Sequence, residues 1–416
     1  MYGPAGQWFN RVTDCISKGI VMSIDCVPRT SPRRRAVVLV PGWGHHVRYE
    51  MRDMLAKQLW LNDRLPVSDP RPETIAGDCC MRLEPKPTGG PARPVVDIYE
   101  VFWSDKIGAE AEQPPPQRFW NATKLLGYWV LNLWWLRALT RSATMTFGLT
   151  LSGILIAAWY VTVIVAVAAL VVDNAGAPPD QAASGGISGL FYMGSDALAP
   201  VLQKIAPFAK NQYFVAAMLL MPLLKINEMV AVATFARRYL MTGGDGGLHD
   251  ELRGRTQRTL ENISALRAED DPGQPAYDEV VLLGHSLGGA IALEALAHWG
   301  DTPLRGRTVL VTWGSPLAVL ACRSPERVRK AIQVACTDTL PGWIDVFSPS
   351  DWMSMRLAEH DEAYPGATLE RKFPVAWWQG VSKAAHMQYF YDAEVTTMLL
   401  APRVAVDTAV PGPDVD

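Results

Sequence analysis

Ser286 stands in the run Gly284-His285-Ser286-Leu287-Gly288-Gly289, directly after the apolar stretch Val280-Val281-Leu282-Leu283. A G-x-S-x-G between a short strand and a helix is the sequence form of a nucleophile elbow, a cramped turn that pushes the serine hydroxyl out above a sheet. Small residues two before and two after the serine suit it, because a Cβ there would collide with the neighbouring strand and helix. The hydroxyl is a poor nucleophile near neutral pH, so it needs a base to take its proton and an acid to orient that base. In a sheet of this kind these partners follow the serine in the order acid, then histidine. Asp351, in Ser348-Pro349-Ser350-Asp351, comes just beyond the apolar run Trp343-Ile344-Asp345-Val346-Phe347. Asp338 and Asp345 are the nearby alternatives, Asp345 lying inside the apolar run itself. His386, in Ala385-His386-Met387-Gln388-Tyr389-Phe390, lies outside any apolar run.

Strands and helices must bring these distant residues together. Ala36-Val37-Val38-Leu39-Val40 reads as a buried strand running into Pro41-Gly42-Trp43-Gly44-His45, with a helix from about Tyr49 to Leu61. Residues 62 to 94 are rich in Pro, Gly and Arg and read as a long loop. Val95 to Trp103 alternates as a second strand, and Pro114-Pro115-Pro116 marks a boundary. Residues 249 to 268 suit an amphipathic helix. Strand and helix then alternate: Val280 to Leu283, the helix after Ser286, Thr308 to Trp313, a basic helix around Pro325 to Val334, and Trp343 to Phe347. The pattern predicts an α/β fold built on a doubly wound, mainly parallel sheet.

These pieces, in order, resemble the α/β-hydrolase superfamily and its lipase/esterase-like branch, over roughly residues 36–110 and 275–395. Val38 to Gly44 resembles the strand and oxyanion turn, with proline where a histidine usually precedes the glycine. Gly284 to Gly289 resembles the elbow, Val311 to Pro316 the Gly-Ser-Pro at the end of the next strand, and His386 with Tyr389 the His-x-x-Tyr that carries the catalytic histidine. The resemblance implies Ser286 as nucleophile, His386 as base and Asp351 as orienting acid. The oxyanion hole would then be the main-chain N–H groups of Leu287 and Trp43. Gly42, His45 and His285 are candidates for the pocket, with His46 beside them, and Ser315 reads as structural.

The middle of the chain has a different composition. Thr144 to Val172 contains no charged residue, and a run of this length exceeds the ~20 residues that span a bilayer as a helix. Strands on both sides of it belong to one sheet, so the insertion must cross an even number of times; residues 213–235 are the best partner span. Leu125 to Leu136, with Tyr128, Trp129, Trp134 and Trp135, suits the bilayer interface. Arg137 and Arg141 flank the first span, and Lys225, Arg237 and Arg238 lie at or beyond the second, which predicts a cytoplasmic catalytic part of an integral protein of the inner or plasma membrane. The expected organisation is an N-terminal segment (1–35, with a candidate edge strand at Ile20 to Val27), a first hydrolase part (36–118), a helical membrane insertion (119–240, with spans about 144–172 and 213–235), a second hydrolase part (241–400) and a tail (401–416).

The net charge of −3 implies no general attraction to nucleic acid, and the run Arg33-Arg34-Arg35 reads as a solvated or membrane-facing patch. The six cysteines show no metal spacing and read as reduced thiols, and the first thirty residues lack the apolar core of a cleavable signal. No phosphate-binding loop or G-x-G-x-x-G is present, so neither metal nor cofactor is expected. The sequence therefore points to a membrane-anchored serine hydrolase whose partners are the lipid bilayer and an ester or acyl substrate, a lipid or long-acyl ester being favoured. An acyltransferase or thioesterase with the same residues is the neighbouring alternative. A non-catalytic membrane scaffold is another, and a transporter fits poorly with an uncharged span.

Overall fold

The computed structural model describes residues 34–75, 77–87, 92–107, 226–241, 247–268, 271–300, 305–337, 340, 342–357, 367–376 and 383–401, with scattered residues between 150 and 207. The chain divides into two compact units, one of residues 1–112, 137–145 and 238–416, the other of residues 113–136 and 146–237.

The first unit is an α/β fold on a sheet of eight strands. They are β1 (Arg34–Val40), β2 (Arg71–Ile75), β3 (Asp78–Leu83), β4 (Val95–Glu100), β5 (Glu279–His285), β6 (Thr308–Trp313), β7 (Gly342–Phe347) and β8 (Ala367–Glu370), in the spatial order β2-β3-β4-β1-β5-β6-β7-β8. From β4 through β8 neighbouring strands are parallel, while β3 runs antiparallel to both β4 and β2. The helices are α1 (Glu50–Trp60), α2 (Ile226–Met241, of which only residues 238–241 belong to this unit), α3 (Leu248–Ala265), α4 (Leu287–Ala297), α5 (Leu317–Arg323), α6 (Pro325–Thr337), α7 (Lys383–His386), α8 (Gln388–Tyr391) and α9 (Ala393–Leu400).

Strand side chains alternate between faces, and in the central strands both sets are buried. Val37, Leu39, Val281, Leu283, Val311 and Ile344 share one core with Leu55 and Leu59 of α1, Phe390 of α8 and Leu399 of α9. The alternate residues Ala36, Val38, Val280, Leu282 and Leu310 are equally buried, beneath α3 and α4. Burial on both faces is why these strands read as unbroken apolar runs.

Two regions correct the sequence reading. Residues 62–94 are not one long loop: β2 and β3 form a hairpin that extends the sheet beyond β4. Its β2 half, Arg-Pro-Glu-Thr-Ile, lies at the sheet edge with mostly exposed side chains, and edge strands favour charge and proline over apolar alternation. Arg34 and Arg35 are not a solvated patch. Both lie in β1, and Arg35 is fully buried. Its guanidinium donates to Glu279 (2.5 Å) and to the carbonyls of Leu399 (2.6 Å) and Ala401 (2.9 Å). Arg34 and Arg82 both donate to the buried carboxylate of Asp97, which also accepts from the Tyr277 hydroxyl.

A second polar cluster ties four elements together. Glu294 of α4 accepts from Arg327 of α6 (2.9 Å) and bonds His249 of α3, while Arg327 also donates to the carbonyl of Leu240 at the end of α2 (2.9 Å). Cys79, Cys80, Cys322 and Cys336 form no disulfide among the described residues.

Most of the expected insertion lies outside the described residues, as do residues 1–33 and 402–416. The described residues from 150 to 169 are helical, with Ile154, Val161 and Ile164 exposed. Among the described residues, no helix is long and apolar enough to cross a membrane.

Candidate active site

From β1 the chain moves to one side of the sheet, through α1 to β4; from β5 it moves to the other, through α4 to β6. β1 and β5 are neighbours, so a crevice opens between their C-terminal ends, the usual ligand position in open parallel sheets. Gly42 and Ser286 sit at those two ends.

Ser286 has φ 53° and ψ −131°. A positive φ is costly for a residue with a Cβ and is held here by its surroundings. The Ser286 N–H donates to the carbonyl of Trp313 (2.8 Å), pinning the end of β5 to the end of β6. Glycine on either side lets the turn close. A Cβ on Gly284 would lie 2.5 Å from Cα of Gly289, and one on Gly288 would lie 2.0 Å from the carbonyl oxygen of Val40. One glycine thus lets α4 approach its own strand, and the other lets α4 approach β1.

His386 closes α7, and Asp351 follows β7. The carboxylate of Asp351 is fully buried and accepts from Nδ1 of His386 at 2.7 Å. The same oxygen accepts from the Tyr389 hydroxyl at 3.2 Å, and the other oxygen from the Met353 N–H at 3.1 Å. With the proton held on Nδ1, the Nε2 lone pair of His386 is available as a base. Nε2 is buried and has no hydrogen-bond partner among the described residues. Catalytic hydrogen bonds of this kind commonly tighten only once substrate is bound. Gly314, with φ +57°, passes beneath the pair: a Cβ there would lie 3.1 Å from Cε1 of His386. Its N–H donates to the carbonyl of Val346, so the ends of β5, β6 and β7 are stitched in sequence under the histidine.

The sequence left Asp345 and Asp338 as alternatives to Asp351. Asp345 is buried within β7, accepts from the Thr312 hydroxyl (2.6 Å) and has no contact with His386. Burial raises its pKa to about 7. Asp338 lies outside the described residues.

The turn after β1 lies against the serine. A Cβ on Gly42 would come within 2.6 Å of the Ser286 Cβ. The turn is fixed from behind by the Trp103 indole, which donates to the carbonyl of Pro41 (3.0 Å), and by the Ser104 hydroxyl, which donates to the carbonyl of Gly44 (2.5 Å). Leu287 is the first residue of α4, where the amide has no intrahelical acceptor and the helix dipole favours negative charge. Trp43 is half-buried, its ring edge-on to His45.

His45 and His46 line an open, shallow cavity of about 340 Å³ together with Val47, Phe102, Ser104 and the acids Glu50 and Asp105. Burial lowers the pKa of His46. His285 is placed differently. It is buried beneath His386, with Nε2 donating to the His386 carbonyl (3.0 Å) and its ring against Phe390. Burial, and then the neighbouring His386, drive its pKa well below the usual imidazole range. His285 therefore acts as a neutral support for the loop that carries His386. Ser315 lies against Gly289 and caps the Leu317 N–H (3.3 Å). Sequence reasoning assigned no role to the Tyr389 hydroxyl or to Lys383, one turn before His386. Spacing along α7 and α8 is the one signal that places either residue beside the histidine.

Among the described residues, no group of three or more His, Cys, Asp or Glu side chains could hold a metal ion. No protein-family model, curated protein or solved structure matches this chain.

Proposed function

We propose that this protein is a serine hydrolase of the α/β-hydrolase type that cleaves a carboxylic ester through an acyl-enzyme on Ser286. The observation that carries the reading is the 2.7 Å bond from His386 Nδ1 to the buried carboxylate of Asp351, which leaves a buried, unpartnered Nε2 on the histidine. Asp345, by contrast, is engaged by Thr312 and makes no contact with the imidazole.

The chemistry follows from these roles. Ser286 Oγ attacks the ester carbonyl as its proton passes to His386 Nε2. The imidazolium formed is stabilised by the Asp351 carboxylate, which stays ionised. The carbonyl oxygen becomes an oxyanion held by the N–H groups of Leu287 and Trp43. As the intermediate collapses, the C–O bond breaks and the leaving alcohol takes the proton from His386. Water, deprotonated by the same nitrogen, then releases the acid and restores Ser286.

The reading includes a membrane anchor, with the catalytic part on the cytoplasmic side. Its support is the uncharged run from Thr144 to Val172 and the exposure of Ile154 (59%) and Val161 (59%) within that run. Exposed apolar side chains repeated along one uncharged run suit burial against acyl chains. Such tethering favours a lipid or long-acyl ester.

A fluorophosphonate probe tests the chemistry. It should label the wild-type chain at Ser286, fail on Ser286→Ala, and react at least ~10³-fold more slowly with His386→Ala. Equal labelling of wild type and Ser286→Ala would remove the assignment. For the anchor, the chain should stay with the membrane pellet after alkaline carbonate extraction, and release into the supernatant would refute it.

A further inference from the structure

Lys383 opens α7, one turn before His386, and its side chain reaches back to the turn after β1. A Cβ built on Gly44 would meet a single neighbour, the Lys383 Nζ, at 3.7 Å. The ammonium therefore lies over the turn whose other end, at Gly42, packs on Ser286. The same turn leads into the cavity lined by His45 and His46.

The acids around this mouth are already engaged. Glu50 accepts from the Val47 N–H (2.8 Å), and Asp105 is held by both terminal nitrogens of Arg255 (2.6 and 2.8 Å). Glu100 accepts from the N–H groups of Tyr49 and Arg52. Among the described residues Lys383 forms no ion pair. Its charge disfavours the protonated form of both His46 and His285. Among the described residues, this exposed cation beside the turn has no carboxylate partner.

We propose that Lys383 is a specificity-determining residue that selects esters carrying an anionic group, a phosphate or a carboxylate, a few bonds from the scissile carbonyl. The reacting ester lies over Ser286, its developing oxyanion is served by main-chain N–H groups, and its anionic group reaches Lys383 from the cavity side of the turn. The inference rests on the ester-hydrolase reading and narrows its substrate class.

The experiment compares matched esters of one acyl chain: the butyrate of 4-hydroxybenzoate, its uncharged methyl-ester counterpart, and the phosphate analogue of the same phenol. Wild type and Lys383→Met are measured in parallel, with Lys383→Arg as the charge-conserving control. In Lys383→Met the ratio of kcat/KM for anionic over neutral ester should fall about fivefold, the upper size expected of one charge contact at an exposed side chain. Lys383→Arg should keep most of the preference, and added salt should erode it in the wild type. A stronger effect on the phosphate than on the carboxylate substrate, or the reverse, identifies which anion is preferred. A ratio that stays within about twofold of wild type in Lys383→Met overturns the inference. Melting temperature checks that each variant is folded. Fluorophosphonate labelling of wild-type Ser286 is read separately, so failure of the hydrolase reading is distinguishable from failure of this one.

Discussion

Replacing Asp351 by Asn removes the charge while keeping the shape of the group that orients His386. In the native protein the Asp351 carboxylate is fully buried and accepts from His386 Nδ1, from the Tyr389 hydroxyl and from the Met353 N–H. Asparagine offers one acceptor oxygen. Keeping the Met353 N–H bond places the amide oxygen there and the NH₂ group at the position shared by the imidazole and the Tyr389 hydroxyl. Nδ1 must then accept, the proton moves to Nε2, and the basic lone pair on that nitrogen is lost. The imidazolium formed during attack also loses its counter-charge in a site with little water. A wrong tautomer of this kind typically costs ~10⁴-fold in kcat, or about 5 kcal/mol of transition-state stabilisation. KM should change little, because Asp351 is buried behind the histidine. The assay is the second-order rate of fluorophosphonate labelling at Ser286, supported by steady-state hydrolysis of a short-chain ester. Asp345→Asn is the control and should keep its rate within about threefold of wild type, since Asp345 bonds Thr312 and not the histidine. If Asp351→Asn retained more than roughly a tenth of the wild-type rate, or if Asp345→Asn were the slower variant, the assignment of the acid would be wrong.

Other expectations follow from the same geometry. Gly42→Ala would drive a methyl group to 2.6 Å from the Ser286 Cβ; the turn must retreat, and the labelling rate should fall ~10²-fold, the usual loss for one misplaced oxyanion donor. Glu294→Ala leaves Arg327 and His249 facing an empty acceptor position and should cost about 3 kcal/mol in urea unfolding, less than a fully buried pair because Arg327 is partly exposed. Asp345 is protonated in the folded state up to about pH 7, whereas the unfolded chain loses that proton near pH 4. Its contribution to stability is thus full below about pH 4, declines as pH rises to about 7, and is constant above. Asp345→Asn should flatten this slope, raising the melting temperature relative to wild type at pH 8 more than at pH 5. Equal differences at both values would show that the carboxyl titrates normally.

The central strands were readable because each is buried on both faces, so Ala36 to Val40, Val280 to Leu283 and Thr308 to Trp313 stand out without any knowledge of their neighbours. The β2–β3 hairpin was not readable, because its edge strand is chosen for polarity and not for burial. β8, four residues long, and the short helices α7 to α9 carry too few turns for a period to show. Arg34 and Arg35 resemble surface charge in sequence. Arg35 is buried because its partners, Glu279 and the carbonyls of Leu399 and Ala401, arrive from hundreds of residues away.

By itself, the sequence determined the strand–serine–helix unit around Ser286. That geometry is local: an apolar run, two glycines that permit close approach, and a helix beginning one residue after the serine. Only the tertiary structure decided which carboxylate meets His386, that His285 supports the loop beneath it, and that Lys383 lies over the turn at Gly44. Those relations depend on the order in which strands lie side by side. That order is set by packing among β1, β5, β6 and β7, whose residues are far apart in the chain and adjacent only in the sheet.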